Sequence, residues 1–151
     1  MAITQAFCNV FKSELLKGTH NLDTTSSDTY RIALYEDTAT LGATTEAYTA
    51  TGEATGTAYV AKGASLTLNG VTGSAALTTA FVDFADVTWA ASTITARGAL
   101  IYNDSTATPG DSADDLALLV LDFGSNKSST AGDFTVQFPA ADASNAIIRV
   151  A

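Results

Sequence analysis

The sequence predicts a mainly β protein: an antiparallel β-sandwich, jelly-roll-like or another Greek key, with one short N-terminal amphipathic helix. Three observations carry this. Only the first eighteen residues repeat their apolar side chains at helical steps. After Gly18, about eight to ten short alternating or apolar stretches follow one another between turn signals, the spacing of sandwich and barrel folds. Thr is abundant, and a β-branched side chain loses little on a pleated surface.

In the helix, Phe7, Val10, Phe11 and Leu15 share one face, while Lys12 and Lys17 fall off it. Thr4 is positioned to cap its start and Gly18 to end it in a left-handed conformation. Asp28–Tyr35 alternates, with Tyr30, Ile32 and Leu34 on one side. Further strands are read at residues 57–61, 65–71, 81–84, 87–90 and 92–103. Leu116–Phe123 is nearly all apolar, as in a strand covered on both faces. Residues 134–138 and 145–150 close the series. Residues 36–56 and 103–114, rich in Thr, Ala, Gly, Asp and Ser, read as loops, and no helical stretch separates the strands as βαβ units would need. Gly42, Gly52, Gly56 and Gly63 suggest mobile loops. The whole chain, residues 1–151, reads as one domain, with residues 1–18 as a helix whose apolar stripe is to be buried against the rest of the domain or a neighbouring subunit.

Composition narrows the function. The chain has 151 residues, 46% of them hydrophobic and 15% charged, with sixteen acidic against seven basic side chains and a formal net charge of −9. So apolar a chain is not an acidic disordered one. No apolar run approaches the ~20 residues a bilayer span needs, and an acidic surface suits neither a phosphate backbone nor counterion release, so no membrane and no nucleic-acid partner is expected. The single Cys8 excludes an intrachain disulfide, and its place beside Phe7 and Phe11 reads as a buried thiol. Met1–Thr4 lacks the basic and apolar regions of a secretory signal, which points to assembly in a cytoplasm.

Chemistry-bearing residues are few. His20 stands in a helix-to-strand turn near Ser26 and Ser27, but no nucleophile elbow accompanies them, and a histidine bonded to backbone is the simpler reading. Asp104, Asp111, Asp114 and Asp115 form an acidic loop that lacks the spacing of the helix–loop–helix calcium site. Asp83 and Asp86 flank Phe84 ahead of Trp89, which suits a sugar platform or, more simply, two strands meeting at a bend with their aromatics in the core. Arg31, Arg97 and Arg149 sit in strand patterns and are expected to pair with carboxylates. By elimination the chain reads as a scaffold, not an enzyme, with no catalytic residue, cofactor or metal expected.

Phe11–Asn21 (FKSELLKGTHN) followed by Asp28–Tyr35 (DTYRIALY) resembles the opening of small structural proteins of tailed bacteriophages. The resemblance continues through Phe84–Trp89, Ile94–Asn103, Leu121–Ser128 and Phe134–Pro139, and so spans nearly the whole chain. It is a pattern of strands and turns and carries no catalytic residue to transfer. It implies a virion protein assembled in the host cytoplasm: a capsid decoration or cement protein that binds the major capsid protein and copies of itself as a homo-oligomer. The alternatives are a ring-forming tail or head-to-tail connector component, and a carbohydrate-binding adhesion module using Trp89 and tyrosines. Phe7, Val10, Phe11, Leu15, Tyr48 and Tyr59 are the expected inter-subunit contacts, because the apolar helix stripe and the Tyr- and Thr-rich segment 44–59 both need a surface to cover them.

Overall fold

The computed structural model describes residues 2–74, 76–105 and 115–151. Its described part is mainly β, with two antiparallel sheets and one short helix. In chain order the elements are β1 (Ala6–Phe7), α1 (Asn9–Lys17), β2 (Tyr30–Tyr35), β3 (Gly56–Thr57), β4 (Ala64–Leu66), β5 (Leu68–Thr72), β6 (Ala80–Phe84), β7 (Val87–Asn103), β8 (Leu116–Val136) and β9 (Ile148–Val150). The larger sheet runs β1-β8-β7-β2-β4, with β3 also paired to β7; the smaller runs β5-β6-β9.

The N-terminal helix is shorter than its apolar spacing predicts. Ala6 and Phe7 are not helical: they pair with Val120 and Leu119 on the edge of β8. Cys8, not Thr4, stands at the N-cap; it is extended and makes no side-chain capping bond. A nearby strand edge satisfies backbone groups that a helical first turn would leave open, and hydrophobic periodicity carries no information about that edge. Phe7 still reaches the helix stripe, its ring stacked 6.0 Å from that of Phe11. The C-terminal reading is correct. Gly18 adopts φ 73°, its N–H donates to Leu15 O at 3.2 Å, and the Thr19 N–H donates to Glu14 O at 3.0 Å, which closes the last turn.

The centre of the larger sheet is the β7–β8 pair, 17 and 21 residues long, in register from Asn103–Leu116 to Val87–Val136. Each appears as two strands in the sequence, and both breaks are irregularities within one strand. Between the pairs Gly98–Asp122 and Ala96–Lys127, β8 spends five steps (122 to 127) against two on β7 (98 to 96). Gly124, at φ 76°, turns this bulge, and Asp122 fastens it by accepting the Gly124 N–H at 2.8 Å and pairing with Arg97. Ala91 and Ala131 make a second kink, at φ 49° and 48°. Asp133 accepts the Ala91 N–H, and Thr93 Oγ1 accepts the Ala131 N–H, so the kinked amides are not orphaned.

β2 is buried on both faces, every residue except Arg31, so it is not the half-exposed strand its alternation suggests. Segment 36–55 folds over its second face: Ala39, Leu41 and Ala54 enter the core, and the Tyr35 hydroxyl donates to Thr49 O at 2.6 Å. The stretch 65–71 is two strands, because the chain leaves one sheet and joins the other at Thr67. One hydrophobic core takes side chains from both sheets, with Tyr30 of β2 and Phe84 of β6 5.9 Å apart, centroid to centroid.

Candidate functional site

Two groups of the residues expected at contacts separate in space. Tyr48 and Tyr59 are half-buried around Glu53. The Tyr48 hydroxyl donates to Glu53 Oε2 at 2.6 Å, the Tyr59 hydroxyl to Oε1 at 2.8 Å, and the Lys62 N–H to Oε1 at 2.7 Å. Tyr59 Oη in turn accepts the Leu34 N–H at 2.9 Å. These tyrosines therefore staple segment 36–62 to β2. Burial, then the neighbouring Glu53, push the Tyr48 phenol up to about 12 and raise Tyr59 further. Glu53 was not legible as a hub, since nothing in its neighbours marks a single carboxylate in a Thr-rich loop.

Gly56 and Gly63 are positions of close approach, not of mobility. A Cβ at Gly63 would lie 1.9 Å from Ile32 O, and one at Gly56 2.0 Å from Thr93 O. Beside them, Arg31 donates to Lys62 O and Gly63 O and pairs with Asp104 at 3.7 Å, while Lys62 binds Asp115 at 2.7 Å. Burial, then the facing Asp115, raise the Asp104 carboxyl above its ordinary value. Asp111 and Asp114 of the expected acidic loop lie outside the described residues. Among the described residues no group of three His, Cys, Asp or Glu side chains could hold a metal ion. Arg149 donates to Ala143 O at 3.4 Å, whereas Arg31 and Arg97 each pair with a carboxylate.

His20 is buried against side chains of α1 and β7. Asn103 Nδ2 faces its Nδ1 at 3.1 Å and donates to Asp28 Oδ2 at 3.2 Å, and Glu14 lies 3.7 Å from its Nε2. Packed against Phe11 at 5.5 Å, the imidazole joins α1 to β7 and gives no open face to a substrate. Trp89 is only 7% exposed, its ring 6.0 Å from Tyr59 and 6.2 Å from Phe134, and Asp86 accepts the Phe138 N–H at 2.8 Å. The strand-bend reading of this segment is the one the geometry matches.

The second group lies along α1. Phe11 is 2% exposed and belongs to the chain's own core, while Phe7, Val10 and Leu15 are half-buried. Between α1 and the smaller sheet runs an apolar groove of about 290 Å³, with Leu15 and Leu22 on one wall and Val71, Ile148 and Val150 on the other. It meets a hollow of about 140 Å³ in which Phe7, Phe11 and Lys12 face Arg149. Val71 and Val150 are 50% and 56% exposed, high for aliphatic side chains in strands. Both β1 and β9 end their sheets, so each presents one free backbone edge here among the described residues. The sequence reading found the helix wall through its period. It missed Val71 and Val150, because three- and five-residue strands are too short to show which side faces out.

No protein-family model, curated protein or solved structure matches the chain.

Proposed function

We propose that this chain is a structural component of a tailed-bacteriophage virion, a non-catalytic decoration or cement protein that seats on the major capsid shell. The observation that carries the proposal is the unfilled apolar groove flanked by two free strand edges. Exposed edges invite pairing, and a protein that acts alone ordinarily blunts them. The pattern resemblance along the chain supports the same reading. So does His20, whose ring is spent on joining elements. We read the two sheets as layers of a sandwich, on the strength of the shared core and the Tyr30–Phe84 contact; whether the connections follow a jelly roll or another Greek key is part of the proposal. The adhesion alternative has less support, because it needs an open Trp89 ring.

Immunogold electron microscopy of intact particles, with antibody to the recombinant chain, tests the location. Gold spread over the heads is expected. Gold confined to the tail or neck would replace decoration by the ring-forming tail or connector reading, and unlabelled particles would remove the virion reading altogether.

A further inference from the structure

We infer that the groove between α1 and β9 seats a second copy of this chain, which adds extended backbone to the free edge of β9 in a head-to-tail contact. The inference rests on reading this groove as an interaction surface. The backbone argument comes first. β9 gives one edge to β6, and among the described residues its other edge pairs with no strand. β1 is in the same position beyond β8. Phe7 of β1 and Ile148 of β9 line the same hollow, so the gap between the two sheets is bordered by unpaired strand edges on an apolar floor. An extended segment satisfies such an edge and buries its alternate side chains, the mode of β-strand addition.

Charge selects the occupant. Lys12 and Arg149 line the hollow, while Lys17 on the same helix pairs with Glu14 at 3.8 Å. Lys12 donates to a neutral neighbour, Asn9 Oδ1, at 3.2 Å. At the far end Asp23 is turned into its own loop by Thr25, and Asp142, which lies within electrostatic reach of Arg149, is held by Asn145. The chain carries sixteen acidic side chains, and among the described residues only Asp23 of these lines the groove or the hollow. An identical copy therefore offers an acidic complement on faces other than this one. Two grooves meeting face to face would set Lys12 and Arg149 against their equivalents, which opposes a symmetric pairing. The contact is accordingly heterologous, and such contacts close into rings or propagate.

Sedimentation velocity on the full chain over a wide concentration range tests this. Wild-type protein should self-associate, less at high salt. Val150→Asp and Lys12→Glu should each weaken association at least about tenfold, a difference of ~1.4 kcal/mol. Val60→Asp, at an exposed position outside the groove, should leave it unchanged. Lys12→Glu keeps the test valid should Val150→Asp fail to fold. A wild type that stays monomeric overturns the inference, as does association that survives both groove variants or is lost equally in Val60→Asp. The outcome is independent of the labelling of particles. Monomerising groove variants with unlabelled virions would retain the contact and remove the virion reading, and labelled virions with a monomeric wild type would do the reverse.

Discussion

Glu53 shows what a single side chain contributes in a segment without regular structure. Its carboxylate takes two phenolic hydroxyls and one amide, and through Tyr59 it reaches the backbone of β2. Hydrogen bonds to a charged acceptor are stronger than neutral ones, and partners left unsatisfied add their own desolvation cost. Glu53→Ala should therefore lower stability by about 2–3 kcal/mol, read from urea unfolding near pH 7. Tyr48→Phe should lose only about 1 kcal/mol, since one hydroxyl goes while its ring remains 5.3 Å from that of Tyr102. Equal losses in the two variants would show that the Tyr48 hydroxyl bond alone accounts for what Glu53 contributes.

At the scale of elements, the chain's irregular positions decide where strands run. Two glycines with similar φ make a controlled comparison. Gly63, at 69°, has Ile32 O where a Cβ would go, whereas Gly124, at 76°, has nothing within 4 Å. Gly124→Ala should cost only the left-handed penalty of about 1–2 kcal/mol. Gly63→Ala should cost clearly more, because backbone at 1.9 Å has to move, and thermal unfolding of the pair will show the order. The same positions explain how much could be read from the sequence. Strand existence was legible wherever β-branched and aromatic residues alternate, as at Ile94 to Tyr102, and Gly18 gave the helix end correctly. Strand continuity was not. Gly124-Ser125-Asn126 and Ala91 carry the chemistry of turns, and only the cross-strand bonds of Asp122 and Asp133 convert them into bulges. The contact surface was half legible, because helical period exposes one wall of the groove and says nothing of the sheet opposite.

For the molecule as a whole, alkaline pH should be the weak flank. All five tyrosines have phenols raised by burial, and burial lifts the Cys8 thiol to about 11. The unfolded chain ionises these groups at ordinary values, near 10 for Tyr and 8.5–9 for Cys. A folded value above the unfolded one means that the native state holds its protons longer. Stability is then fully present below about pH 8.5 and falls as pH rises through 9 and beyond, where the unfolded chain loses protons first. Tyrosinate absorbance should stay low past pH 10 and then rise together with loss of structure; gradual ionisation in a still-folded protein would contradict the burial. A different consequence follows from the long central pair. β7 and β8 are near neighbours in sequence, so their pairing closes a short loop and is the entropically cheap first step. β2 and α1, although made earlier, find their longest partners in β7 and β8, β2 having only the short β4 before that. During synthesis the first 86 residues can thus form only the short pairs β2–β4 and β5–β6, and the larger sheet closes around its centre once residues 87–136 have left the ribosome.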